Sequence, residues 1–188
     1  MMTTERPIKQ LPTHLQTVDE FEQWERQNVH EGSYEFVRGR IIEKKEMKQD
    51  EYLLIKFLTR LFAKTSAYQH GDELTPEMDS YVDNVRKRRP DLAYFTLEQI
   101  NETGLGIRQK TRFAIEILSD SESYEDVLEK IQDYFDAGVQ LVWYIVPRKK
   151  RIYVYASPDE SKAFKGTDVI SASPVIEGFT FVVEELFG

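Results

Sequence analysis

A single domain of the α/β (α+β) class, with helices flanking a mixed central sheet, is the architecture this sequence predicts. Three observations carry it. From Asp50 to about Lys64, the residues Leu53, Leu54, Phe57, Leu58, Leu61 and Phe62 recur at three- and four-residue spacing, the pattern of an amphipathic helix with one face in a core. Phe113 to Leu118 and Val139 to Val146 are strand-like apolar runs on either side of a helical segment, Tyr124 to Asp136, which Gly138 ends; together they form a β-α-β unit. No repeat, low-complexity tract or linker divides the chain, so residues 1–188 read as one domain with 1–16 as a polar lead-in.

The remaining elements follow from local signals. Thr17 and Glu20 make a capping box, placing a short peripheral helix over about Val18 to Arg26. Tyr34 to Val37 and Arg40 to Glu43 read as a hairpin turning at Arg38-Gly39, and this hairpin carries Glu35. Met78 to Val82 and Leu92 to Phe95 read as strands, and Asn101 to Lys110 as a loop. Ile152 to Tyr155, after the turn Pro147 to Lys150, adds a further strand to the sheet, and the tail FTFVVEELF ends in a small helix or strand.

At 188 residues the chain can bury roughly 70% of its unfolded surface without disulfides or a structural zinc. It has no cysteine, which excludes thiol catalysis and Cys-type metal sites and is compatible with a reducing, cytoplasmic location. The 31% charged content and mean hydropathy of −0.52 describe a charged exterior, and no apolar stretch reaches membrane-spanning length, so no membrane association is expected. The N-terminus lacks the apolar core of a signal peptide, and no cleavage is expected. A net charge of −8 argues against broad electrostatic attraction to nucleic acid. Two local exceptions are Arg86-Lys87-Arg88-Arg89 and Arg148-Lys149-Lys150-Arg151, each of which in isolation reads as a solvated turn.

Chemistry enters at Glu116, a carboxylate inside an apolar strand. Alternation puts Phe113, Ile115 and Ile117 on one face and Ala114, Glu116 and Leu118 on the other, so Glu116 meets a packed layer, where a lone charge is expensive. On the following helix Val127, Lys130 and Tyr134 share a row beside the apolar stripe Leu128, Ile131 and Phe135. Pro90-Asp91 opens the strand before Glu116. Each residue has a bland reading: Glu116 as a helix cap or arginine partner, Lys130 snorkelling to solvent, Asp91 as a turn residue. Two acids and a lysine in this order suggest a metal site.

The ordered set YEFVRGRI, RPDLAYF, IEILS, KIQDYFDAGV and WYIVPRKKRIYVY resembles the Uma-type family of restriction endonucleases, a domain of unknown function within the PD-(D/E)xK nuclease superfamily. The likeness runs from about Thr17 to Phe187. It implies a restriction-endonuclease-like fold and hydrolysis of DNA phosphodiesters, with Mg2+ (Mn2+ as substitute) held by Asp91, Glu116 and the Ile117 carbonyl. Lys130 would orient the attacking water or stabilise developing charge, and Glu35 would orient Lys130 or bind a second metal. These four catalytic candidates, Glu35, Asp91, Glu116 and Lys130, are expected to converge at one end of the sheet.

The chain departs from the superfamily pattern at Leu118, where the lysine classically stands; in the resembled family that lysine comes from the next helix, as Lys130 does. It departs again at Asp120, where a proline often follows the motif serine, and across Lys48 to Tyr52, which lacks a histidine common in relatives. These departures keep open a non-catalytic nucleic-acid-binding or regulatory module on the same fold. A glycosidase-like pair of Glu35 and Glu116 is a third reading. Its sugar-stacking aromatics would be Trp143, Tyr144, Tyr153 and Tyr155, which fit sheet packing or a subunit interface better. His14, His30 and His70 are too scattered for a zinc motif, and Ser119 suits hydrogen bonding at the helix start rather than nucleophilic attack. A homodimer would suit cutting of two strands.

Overall fold

The computed structural model describes residues 11–28, 32–118 and 122–188. His30, Ser119, Asp120 and most of the lead-in lie outside them. The elements in chain order are α1 (Val18–Gln27), β1 (Ser33–Val37), β2 (Arg40–Lys44), α2 (Gln49–Phe62), α3 (Ser66–Gln69), β3 (Glu73–Pro76), β4 (Ser80–Tyr81), β5 (Arg86–Arg88), β6 (Leu92–Phe95), α4 (Leu97–Gly104), β7 (Phe113–Ile117), α5 (Tyr124–Asp136), β8 (Leu141–Val146), β9 (Arg151–Tyr155), β10 (Ser161–Lys165), β11 (Val169–Ser171), β12 (Thr180–Val182) and α6 (Val183–Phe187).

Six strands form the mixed central sheet in the order β10-β9-β8-β7-β6-β3, with β7 and β8 parallel and the other pairs antiparallel. The parallel pair needs a crossover, and α5 supplies it. A second sheet, β2-β1-β5-β4, is antiparallel throughout, and β11 pairs with β12. The chain passes from the second sheet into the first across Arg89-Pro90-Asp91, between β5 and β6.

The alternation in β7 divides the core as expected. Phe113, Ile115 and Ile117 pack with Trp143, Leu58 and Phe179, whereas Ala114 packs with Val142, Tyr134 and Val139. Phe113 meets Trp143 edge-on at 4.9 Å, and Trp143 stacks on Phe179 at 5.5 Å. Helix α5 starts at a capping box of Ser123 and Asp126. It stops in a Schellman arrangement, with Gly138 at φ 90° and the Gly138 and Val139 N–H groups donating to the Phe135 and Tyr134 carbonyls. At the β1–β2 turn Arg38 and Gly39 both have positive φ, 48° and 83°, the backbone of a two-residue primed turn.

Several expectations are corrected. The segment read as a loop from Asn101 is helical through Gly104, because Thr96 and Gln99 cap α4 reciprocally. The strand expected over Met78 to Val82 is only Ser80–Tyr81. On α2 the buried face is Leu54, Ile55, Leu58 and Phe62, while Leu53 is 59% exposed and Phe57 and Leu61 are half-buried. The largest correction concerns Arg86 to Arg89. Its first three residues are strand β5, hydrogen-bonded between β1 and β4, and Lys87 and Arg88 are only 1% and 2% exposed. Acids from distant elements neutralise the run: Glu25 and Asp79 hold Lys87, and Glu35 and Asp133 hold Arg88. The second basic run does form a turn, with Arg148 to Lys150 exposed. No described helix is long and apolar enough to cross a membrane.

Candidate active site

The antiparallel register of β6 and β7 pairs Leu92 with Ile115. Continued by one residue, it sets Asp91 opposite Glu116, and directly opposed side chains lie on the same face of a sheet. The strand junction therefore produces a carboxylate pair from two residues distant in sequence. Asp91 accepts a hydrogen bond from the Ile117 N–H at 2.7 Å.

Helix α5 lies over this pair because it bridges the parallel strands. Its Lys130 Nζ lies 3.4 Å from Glu116 Oε2 and 3.2 Å from Glu122 Oε1, and the Tyr134 hydroxyl donates to Glu116 Oε1. Tyr144 donates to the same Glu122 oxygen at 3.0 Å. The predicted row of Lys130 and Tyr134 is thus the face turned to Glu116, and Lys130 does not snorkel outward; its side chain is 12% exposed.

Glu35 reaches the site from β1, but it does not bond Lys130. Its oxygens accept from Arg88 at 2.9 Å and from the Arg89 N–H at 3.0 Å, and Arg88 in turn reaches Asp133 on α5. Both Glu35 oxygens are committed to cationic or N–H donors, which removes Glu35 as the proton donor of a glycosidase pair. Glu35, Asp91, Glu116 and Lys130 all line one cleft of about 300 Å³, together with Lys44 and Glu122. A larger groove of about 520 Å³, lined by α2 and Glu185, contains none of them. The smaller cleft is the candidate site, because its charged groups converge and are largely buried.

The electrostatics separate the two buried glutamates. Burial pushes Glu116 up to about 7, with Lys130 opposing and Asp91 reinforcing the shift. Burial acts on Glu35 in the same direction, yet Lys130, Arg88, Lys44 and the Arg89 N–H outweigh it and hold Glu35 at about 2. Burial disfavours the Lys130 ammonium, but Glu116 and Glu35 raise its pKa well above the usual lysine value, so it stays protonated. Lys44 is likewise raised, by Asp91 and Glu116 against burial.

These shifts give opposite pH dependences. Glu35 is depressed from its ordinary 4.5, so its contribution to stability is present above about 4.5 and is lost as pH falls through about 2. Glu116 is raised, so its contribution is complete below about 4.5 and is lost as pH rises through about 7. Thermal melts from pH 2 to 8 should show this pair favouring the fold most near pH 4.5. Glu116→Gln should flatten the arm between pH 4.5 and 7 while leaving the acid arm in place. An unchanged neutral arm in that variant would refute the assignment.

Sequence reasoning missed Lys44, Arg88, Asp133 and Glu122. The signal for Arg88 was present, since a run of four cations ahead of Pro90-Asp91 is what buried acids nearby would require. Lys44 and Glu122 carry no local signature. Among the described residues, no three His, Asp or Glu side chains are grouped to hold a metal ion.

The family profile of Uma2, described as "Putative restriction endonuclease", matches residues 18–184. A solved chain from Anabaena variabilis, described as "a putative nuclease belonging to DUF820", is similar over 91% of this chain and 97% of its own, with a TM-score of 0.74 and 19% identity. That likeness shows a shared fold. No curated protein matches the sequence. With the profile spanning nearly all of the domain that builds the cleft, the chain belongs to the Uma2 family.

Proposed function

We propose that this protein is a magnesium-dependent endonuclease that hydrolyses DNA phosphodiester bonds, with manganese as a substitute ion. The observation that carries the reading is the cross-strand pair Asp91 and Glu116 facing Lys130 in one cleft.

The donor set fits a hard cation. Asp91 and Glu116 offer carboxylate oxygens, and the N–H and C=O of one strand residue face the same neighbour, so the N–H bond from Ile117 to Asp91 turns the Ile117 carbonyl toward Asp91. Two carboxylates, one carbonyl and retained waters form a coordination set that magnesium accepts without a third carboxylate. When bound, the ion would supply a water of lowered pKa and neutralise charge on the attacked phosphate.

The protein's own groups have separate tasks. Lys130, held as an ammonium, stabilises charge that develops on the phosphate oxygens, and it is already oriented by Glu116 and Glu122. Tyr134 fixes the Glu116 carboxylate through its hydroxyl. Glu35 acts at one remove: through Arg88 it ties β1 to Asp133 on α5, the helix that carries Lys130. One copy has one cleft, so nicking is the product of a monomer and linearisation that of a homodimer.

The Lys44–Asp91 ion pair at 2.9 Å favours a second reading, a nucleic-acid-binding or regulatory module that keeps the fold without cleavage. Supercoiled plasmid at low salt distinguishes the two. Nicking should require Mg2+ or Mn2+, fail with Ca2+, and disappear in Asp91→Ala. Calorimetry should show manganese affinity largely lost in Asp91→Ala and Glu116→Ala. Manganese binding without nicking across substrates and metals would establish the module instead.

A further inference from the structure

The nuclease reading assigns an ion to Asp91, yet a cation from the protein already occupies that carboxylate. Lys44, the last residue of β2, donates to Asp91 Oδ1 at 2.9 Å and to the Arg89 carbonyl at 2.6 Å, and its side chain is only 10% exposed. The other oxygen, Oδ2, accepts the Ile117 N–H. We propose that Lys44 is the internal counter-ion of the metal site, displaced from Asp91 when a divalent cation binds.

The inference rests on the reading that Asp91 ligates the ion, and it follows from charge balance. Asp91 and Glu116 are opposed across β6 and β7, so the metal-free cleft would hold two repelling carboxylates. The structure supplies one cation to each: Lys130 stands at Glu116 and Lys44 at Asp91. An ion at roughly 2.1 Å from Oδ1 would lie within about 5 Å of an ammonium bonded to the same oxygen, and that repulsion favours release of the lysine. Release is structurally simple. The flexible lysine stem can swing while its ammonium keeps the Arg89 carbonyl as a partner. The freed charge stays in the cleft, whose rim carries the acids Glu43, Glu46 and Glu51 beside the cations Arg40, Lys45 and Lys48, and it adds to the positive groups a phosphate diester would meet there.

The geometry distinguishes this role from simple packing by the sign of the effect on metal affinity. A residue that merely supports the site weakens metal binding when removed, whereas a competing cation strengthens it. Full-length protein would be titrated calorimetrically with Mn2+ as wild type, Lys44→Met and Lys44→Arg, with thermal melts with and without the ion. Lys44→Met should bind Mn2+ at least about fivefold more tightly, a coupling of ordinary size for groups sharing one partner. It should melt lower without the ion and gain more on its addition. Lys44→Arg, which keeps the cation, should stay near wild type, and in an Asp91→Ala background the gain from Lys44→Met should vanish. Should Lys44→Met not fold, Lys44→Gln carries the same expectation. Equal or weaker affinity in the neutral variant, with wild type binding Mn2+, would overturn the inference alone. Absence of Mn2+ binding in every variant would take down the metal reading with it.

Discussion

Lys130→Ala should lower magnesium-dependent plasmid nicking by at least about a hundredfold, the usual cost of removing a positioned group that stabilises transition-state charge. Metal binding should survive. Lys130 is an ammonium bonded to Glu116 and Glu122 and has no lone pair to offer a metal, so removing its positive charge beside the carboxylates leaves manganese affinity unchanged or higher. Its buried position at the centre of α5 makes the ammonium specific: it is held 3.4 Å from Glu116 and its protonated form is favoured by Glu116 and Glu35. Parallel calorimetry and single-turnover cleavage separate the two effects. Equal nicking by wild type and Lys130→Ala would point to a contaminating nuclease or another site, and loss of manganese binding in the variant would show that the lysine organises the metal site instead.

Arg88→Ala should have the largest effect on stability. Arg88 is almost fully buried between Glu35 and Asp133, themselves 1% and 0% exposed, and it bonds both. Truncation leaves buried carboxylate charge without its main partner, which typically costs about 3–5 kcal/mol. In a domain of this size that corresponds to a fall in Tm of roughly 6–20 °C. Asp133 keeps Arg38 and Arg86 as partners, so the greater exposure of unpaired charge falls on Glu35. Combining Arg88→Met with Glu35→Gln and Asp133→Asn should recover most of the loss, because the apolar and neutral replacements no longer bury unpaired charge. Urea unfolding measures each variant; a loss below about 1 kcal/mol in Arg88→Ala would mean that the network contributes little beyond a surface ion pair.

Much of the fold was legible because its signals are local. The periodicity of α2, the Ser123 cap and Gly138 stop of α5, and the alternation of β7 each depend on residues close together in the chain. Strands β3, β10 and β11 were not legible, since short polar segments such as Ser161 to Lys165 become strands only when an adjacent strand offers its edge. The same limit explains β5. Four consecutive cations look solvated until Glu25, Asp79, Glu35 and Asp133 arrive from elsewhere in the chain.

For the site, the sequence by itself determined the chemical inventory and its order: Glu35 on a hairpin, Asp91 at a strand opening, Glu116 inside an apolar strand, and Lys130 with Tyr134 on one helical row. Those follow from residue type and from the fixed periods of strand and helix. Tertiary structure alone decided which groups pair. It set Asp91 opposite Glu116 through the β6–β7 register, gave Glu35 to Arg88 rather than to Lys130, and brought Lys44 onto Asp91. The physical reason is that electrostatic partners are chosen by distance in space and by the low dielectric of a closed cleft, and neither quantity is defined until the two sheets and α5 have packed.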